Sequence, residues 1–231
     1  TQTNGGFIIG KYLNYSLLRQ SDIYLRKLSS LILGDMLISQ TNPIGIQYYT
    51  KFPKYSFNIG VFNSARLNFA PVYNRSNPSV KTICFNYDDY SNDNKDIYSS
   101  FGFNVNNNLF FKTGVLVGKL NNNDIQYLRA ETAAPQNFNN TDKNMWYISA
   151  EQTYGSGIFQ LNYYSYRISD LRLPVWETLF NYLIKDNFSI GFAYTNIKHK
   201  NVVSPSKLLL DKTQYLTAIG YKYSEVSFFY E

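Results

Sequence analysis

The sequence predicts an all-β protein, a transmembrane antiparallel β-barrel, and three observations lead to that fold class. The first is alternation: from Phe188 to Thr195, large apolar residues occupy one parity and small or polar residues the other, which indicates a strand with two different faces. The second is composition, because 18% of the residues are aromatic and 22 of 231 are Tyr, a residue that favours strands and membrane interfaces. The third is that short turns alternate with long polar loops, as they do in membrane barrels.

The alternation predicts about twelve strands, most of them about nine to eleven residues long. In chain order they are 5–13, 43–51, 55–62, 80–87, 97–105, 109–120, 145–154, 158–167, 176–184, 187–197, 212–224 and 226–230. The predicted short turns are 52–54, 106–108, 155–157 and 185–187. The predicted loops are 63–78, 88–96, 121–144, 169–174 and 198–211, and the Asn, Gln and Thr content of 121–144 argues against a buried element there.

Charge within the predicted strands is confined to one parity. If the aromatic parity faces outward, the residues that fall inward are Lys51, Lys112, Glu151, Glu177 and Lys222. Inward placement avoids the cost of about 2 to 4 kcal/mol for a Lys or Arg on the lipid face near the midplane. Any half-buried sheet keeps charge on its wet face, however. The pattern therefore leaves a second fold open, a soluble or surface-attached β-sandwich that binds carbohydrate or protein through aromatic loops.

Composition and motifs exclude several other classes. The mean hydropathy of -0.32, with no long uninterrupted apolar stretch, excludes a helical membrane protein. The net charge of +6 comes from scattered Lys and Arg, and the aromatic residues lie on the opposite parity, so no nucleic-acid partner is predicted. The single His, in the polar run 198–201, and the lack of a Gly-x-Ser-x-Gly motif predict no enzyme. No Cys or His cluster is present, so neither a metal nor another cofactor is predicted.

The segment 14–40 breaks the two-residue period and carries several charges. We predict that it folds into the barrel as a constriction loop, because charges on such a loop facing charges on the wall create a field across the water path. An external loop or an edge-covering helix is the alternative. The candidate constriction residues are Arg19, Asp22 and Asp35 on the segment, with Asp22 and Asp35 on the acidic side, and Lys11, Lys51, Arg66 and Lys112 on a basic wall.

Several of these stretches resemble one family. The run from Gly5 to Lys11, the irregular segment after it, the strand 44–49 with its hairpin partner 55–61, and the closing stretches 180–195 and 215–223 resemble the general porins of Gram-negative bacteria. The resemblance implies an outer-membrane homotrimer in contact with lipid and lipopolysaccharide, through which small hydrophilic solutes and ions diffuse. It also implies that Lys11 is the basic wall residue and that Asp22 or Asp35 is the acidic residue of the loop.

The chain departs from that family in two respects. Family members have about sixteen strands, and they end on a terminal aromatic residue, whereas this chain ends in Tyr230 and Glu231. The chain also begins at Thr1 without Met. We therefore expect a single barrel domain, 1–231, that is either part of a longer barrel lacking its first strands or a smaller barrel. From the net positive charge we expect passive diffusion with a mild preference for anions.

Overall fold

The computed structural model describes residues 4–11, 44–64, 66–71, 81–86, 94–131, 138–185, 188–198, 212–223 and 226–230. The strands in these ranges are β1 (Asn4–Lys11), β2 (Ile44–Lys51), β3 (Tyr55–Asn63), β4 (Arg66–Pro71), β5 (Lys81–Asn86), β6 (Lys95–Asn104), β7 (Leu109–Lys119), β8 (Asp142–Tyr154), β9 (Gly157–Ile168), β10 (Leu171–Lys185), β11 (Phe188–Ile197), β12 (Lys212–Tyr223) and β13 (Val226–Tyr230). One helix, α1 (Asn122–Glu131), joins β7 to β8. The predicted antiparallel β fold is confirmed at this level.

Eleven strands form one antiparallel sheet in which neighbours in the chain are neighbours in space. The exception is between β3 and β6, which pair directly while β4 and β5 form a separate two-stranded sheet. Among the described residues no pairing joins β1 to β13, so closure of the sheet into a barrel stays a prediction. No helix in the described ranges is both long enough and apolar enough to cross a membrane.

The two faces of the large sheet differ in burial and in chemistry. On β6 and β7 burial alternates at almost every residue, with Tyr98 and Lys112 buried and Phe101 and Val115 exposed. We call the buried side the inner face and the exposed side the outer face. Of the five charged residues predicted to face inward, Lys112 and Glu177 are buried, Glu151 is half-buried, Lys51 is exposed near a strand end, and the side chain of Lys222 lies outside the description. The chain thus buries charge and exposes apolar side chains.

The prediction that 121–144 holds no buried element is wrong. Helix α1 lies within it, and β8 begins at Asp142, three residues before the predicted start at Met145. The helix begins with a reciprocal cap, in which the Asp124 N–H donates to Asn121 Oδ1 at 2.7 Å and the Asn121 N–H donates to Asp124 Oδ2 at 3.1 Å. Ile125 and Leu128 are buried at the spacing of one helix face. Because the segment is mostly polar, neither the helix cap nor the apolar helix face was recognised in the sequence.

Two further predicted loops also contain strand. Strand β4 lies inside the predicted loop 63–78, and the predicted loop 169–174 is a two-residue turn at Ser169 and Asp170, after which Pro174 belongs to β10. Pro174 is tolerated because the register between β10 and β11 begins only at Val175, so its missing N–H falls where that pairing ends. The predicted alternation of short and long connections therefore fails between β9 and β10.

Candidate functional site

One level of the inner face is polar or glycine on eight neighbouring strands from β2 to β11. The cross-strand register aligns these residues in a single line: Lys51, Ser56, Gly102, Lys112, Ser149, Asn162, Glu177 and Thr195. We call this line the polar row. Apart from Lys51, which is exposed, and Ser56, which is half-buried, its members are buried. The row is a belt of polar groups that runs across the strands rather than along them.

The centre of the polar row is a buried carboxylate held by hydrogen bonds. Asn162 Nδ2 donates to Glu177 Oε2 at 2.8 Å, and the Tyr164 hydroxyl donates to the same oxygen at 2.9 Å. The Ser149 hydroxyl donates to Asn162 Oδ1 at 2.5 Å, which orients the amide toward the carboxylate. Glu177 is 1% exposed. Because hydrogen bonds to an ionised acceptor are about twice as strong as neutral ones, the position of this negative charge is well defined.

A buried cation lies at the same level three strands away. Lys112 is 5% exposed and pairs in register with Gly102 on β6 and Ser149 on β8. Strands of one sheet lie about 4.8 Å apart, so Lys112 and Glu177 originate about 14 Å from each other along the row. The row therefore carries fixed charges of opposite sign at separate positions. Such an arrangement produces a field along the inner face.

A second charged cluster lies on the inner face at the end of the sheet where the long connections are. Lys143 Nζ lies 2.8 Å from Asp96 Oδ2 and 2.6 Å from the Ser64 hydroxyl. A Cβ added at Gly118 would lie 1.9 Å from Asp96 Oδ1, so glycine is needed for the carboxylate to fit. Asp124 of α1 also acts on Lys143 through its charge. The cluster ties β6, β7 and β8 to the segment after β3 and to the helix.

The structure brings two of the predicted constriction residues onto one line. Lys51 and Lys112 both belong to the polar row, on β2 and β7, with Ser56 and Gly102 between them. They are therefore at the same level of the inner face but not in contact along the sheet. The cationic part of the predicted wall thus includes one exposed and one buried lysine.

The other predicted site residues are not brought together with this pair. Lys11 ends β1 opposite Ile44, and its side chain lies outside the description. Arg66 begins β4, in the separate two-stranded sheet. The remaining predicted residues Arg19, Asp22 and Asp35, the predicted loop 14–40 as a whole, and His199 lie outside the described residues.

Sequence reasoning placed Glu177 on the inward parity but did not identify it as the centre of a polar row. One pairing within the polar row could have been predicted from the sequence, because the two-residue turn between Tyr154 and Gly157 fixes the register of β8 and β9. Counting back from that turn pairs Ser149 with Asn162. The long connections give no such count, and the rest of the row follows only from the folded sheet.

Comparison with known proteins adds no identification. No family model matches the chain, and a search of curated proteins found no significant match. The resemblance to general porins therefore stays a prediction from the sequence. Among the described residues there is also no group of three or more His, Cys, Asp or Glu side chains arranged to hold a metal ion.

Proposed function

We propose that the large sheet is the wall of a β-barrel in the outer membrane of a Gram-negative bacterium, and that ions and small hydrophilic solutes diffuse along its inner face without catalytic turnover. As in the porins that the sequence resembles, three copies would assemble side by side in the lipid. The observation that carries this proposal is that the sheet exposes large apolar side chains on its outer face and buries charged side chains on its inner face, the reverse of a water-soluble protein. The remaining arguments concern the height of the apolar surface and the charges of the inner face.

The inverted faces support lipid as the medium around the outer face. Phe101, Ile148 and Trp176 are each 47 to 52% exposed, while Lys143 and Glu177 are 1 to 3% exposed. Apolar burial stabilises a water-soluble fold by about 25 cal/mol per Å², and a fold in water that leaves these side chains exposed forgoes much of that gain. In lipid the same side chains meet hydrocarbon, and it is the polar groups that have to turn inward.

Charged residues on the described part of the outer face are found at one end only. They are Lys95, Lys119, Asp142, Arg167 and Arg172, all at the end of the sheet where the long connections lie. Below them, the outer face of β8 runs from Trp146 to Tyr154, a rise of about 26 Å along the strand, or about 20 Å across a membrane for a strand tilted by about 40°. This height is close to the apolar band of about 25 Å in membrane barrels. The charge distribution supports a membrane boundary at that end.

The inner face supports a narrow path rather than a wide opening. Lys112 and Glu177 are only 5% and 1% exposed, so they would act on a passing ion through their charge rather than by direct contact. Lys51 adds a second cation to the polar row, and the whole chain carries a net charge of +6. We therefore propose a mild preference for anions, with Lys112 as the residue of the polar row that sets it.

Planar-bilayer recordings test the proposal. The detergent-purified protein should give stepwise conductance with a reversal potential on the anion side. Lys112→Gln should move the reversal potential toward cations, whereas Lys95→Gln, which removes an equal charge from the outer face, should leave it unchanged. Silence in the bilayer, or protein that stays monodisperse in buffer without detergent, would overturn the proposal in favour of a soluble sheet. A Lys112→Gln reversal potential equal to that of the unaltered protein would remove Lys112 from the path.

A further inference from the structure

Beyond the polar row, toward the end of the sheet with the long connections, the inner face becomes apolar on five neighbouring strands. The register aligns these residues in a second line, four residues from the polar row on each strand: Tyr98, Leu116, Met145, Tyr166 and Leu173. We call this line the apolar row. Its members are 0 to 6% exposed. The two rows lie about 13 Å apart along a strand, or about 10 Å apart across a membrane for strands tilted by about 40°.

The inner face is more open at the opposite end, where the short turns lie. Lys51 is exposed there, and Ser56, Phe110 and Glu151 are half-buried. An ion that enters from the turn end therefore meets polar groups first and the apolar row afterwards. The apolar row opposes its passage, because an ion loses its hydration where apolar side chains exclude water.

Helix α1 lies over the inner face at the end with the long connections. Asp124 is 0% exposed and acts through its charge on Lys143, which is two residues from Met145 of the apolar row on the same face of β8. Leu128 lies one turn after Asp124 on the same side of the helix and is also 0% exposed, and Ile125 is 6% exposed. The apolar side of the helix therefore faces the sheet.

The far end of α1 is linked by hydrogen bonds to the turn between β9 and β10. Arg129 Nε donates to the Phe138 carbonyl at 2.9 Å, and Arg129 Nη2 donates to Asn139 Oδ1 at 2.7 Å. The backbone N–H groups of residues 139 and 140 donate to Asp170 Oδ2 at 3.2 and 3.3 Å. Strands β7 and β10 are about 14 Å apart across the sheet, and a helix of ten residues is about 15 Å long. The helix is thus long enough to cross the inner face from the end of β7 to β10.

We propose that α1 is a gate. Docked on the inner face, it keeps water from the apolar row and closes the path at that level; undocked, it lets water and ions pass. An apolar constriction blocks ions because it dewets. A helix held by one apolar side and by hydrogen bonds at its end can undock locally while the strands stay paired. This inference rests on the proposed pore.

Single-channel recordings in planar bilayers measure the ratio of open to closed time at a fixed voltage. Leu128→Ala should raise this ratio at least about tenfold, because losing a buried leucine costs the docked state more than the about 1.4 kcal/mol that a factor of ten represents. Gln126→Ala, on the exposed side of the same helix, should leave the ratio unchanged. Arg129→Ala keeps the apolar side of the helix but removes its hydrogen bonds to residues 138 and 139, so it should raise the ratio as well.

A second measurement follows access to the polar row. Cys84→Ser removes the one cysteine of the chain, and Ser56→Cys then places a single thiol on the polar row. A charged thiol reagent that does not cross lipid is added to one side of the bilayer, and the reaction is timed by the change in conductance. The rates from the two sides should differ by the same factor of about ten, and Leu128→Ala should bring them close together.

The outcomes separate the gate from the pore. Equal open-to-closed ratios in Leu128→Ala and Gln126→Ala, or equal reaction rates from both sides while α1 is unaltered, would overturn the gate and leave the pore in place. Absence of conductance in the unaltered protein and in every variant would overturn the proposed function itself. If near-UV circular dichroism shows that Leu128→Ala does not fold, Arg129→Ala decides the test, and an unchanged ratio in that variant would overturn the gate.

Discussion

Replacing Lys143 with Met should destabilise the protein strongly, because it leaves the carboxylate of Asp96 buried without its cation. The pair lies 2.8 Å apart, with side chains 4% and 0% exposed. The matched control is Lys119→Met, since Lys119 and Asp142 form an ion pair at 2.5 Å whose side chains are 57% and 29% exposed. Both substitutions replace a lysine with methionine in the same sheet, but the first lysine is buried and the second is exposed.

The magnitudes follow from burial. Removing one partner of a buried ion pair costs about 3 to 5 kcal/mol, and the Ser64 hydroxyl loses the hydrogen bond that it accepts from Lys143 Nζ at 2.6 Å while it still donates to the Lys119 carbonyl. An exposed pair contributes about 0 to 1 kcal/mol. The free energy of unfolding should therefore differ between the two variants by at least about 2 kcal/mol, a factor of about 30 in the unfolding equilibrium.

Urea unfolding in detergent micelles, followed by tryptophan emission, measures this difference. With a urea dependence of about 2 to 3 kcal/mol per M, Lys143→Met should lower the midpoint by about 1 to 2 M and Lys119→Met by less than about 0.5 M. The double variant Lys143→Met/Asp96→Leu should recover most of the loss, because it removes the buried carboxylate together with its lysine. Equal midpoints for the two single variants, or no recovery in the double variant, would refute the argument from burial.

Three further substitutions test other parts of the sheet. Gly114→Val should cost about 1 to 3 kcal/mol in urea unfolding, because a Cβ there would lie 2.4 Å from the Tyr147 ring. Asn121→Ala should cost about 0.5 to 2 kcal/mol in the same assay, because it removes the cap of α1. Ala150→Arg should lower the fraction of protein that inserts into vesicles, because Ala150 lies midway between Trp146 and Tyr154 on the outer face and an Arg near the midplane costs about 2 to 4 kcal/mol, whereas Tyr154→Arg, at the strand end, should cost less.

Each of these expectations has a contrary outcome. Near-UV circular dichroism that is unchanged in Gly114→Val would mean that the Tyr147 ring does not lie on this glycine. For the cap, a loss in Asn121→Ala that also appears in the exposed helix substitution Gln126→Ala would indicate a general effect of helix composition. Equal insertion of Ala150→Arg and Tyr154→Arg would contradict a lipid-facing outer surface, since position along the strand would then have no effect.

Much of the fold was predictable because alternation is a local property. In β7, Phe111, Thr113 and Val115 lie on one parity and Lys112 and Gly114 on the other. The two faces of this strand can therefore be predicted without knowing which strands lie beside it. The predictions failed where a different local feature of the sequence, polar composition or a proline, favoured a loop. Polar composition hid the capped helix α1, and Pro174 indicated a loop where the pairing with β11 had already ended.

The candidate site was less predictable, because it depends on register across long connections. Lys112 and Glu177 share a level only after β7, β8, β9 and β10 have paired, and the connection between β7 and β8 holds a helix of ten residues. Nothing local to either residue specifies that alignment. The Asp96 and Lys143 pair is more remote still, since it joins residues 47 positions apart through a gap left by Gly118.

The polar row supplies information about register that alternation does not. A slip of one residue between β10 and β11 turns every side chain to the wrong face and is excluded by the two-sided pattern. A slip of two residues preserves the faces, but in one direction it sets Glu177 against Ala193 and in the other it sets Leu179 against Thr195. In the observed register Glu177 pairs with Thr195, while Leu179 pairs with Ala193 and both are buried. Because polar and apolar levels alternate along the strand, the inner face opposes two-residue slips, and the buried charges specify register as well as the proposed path.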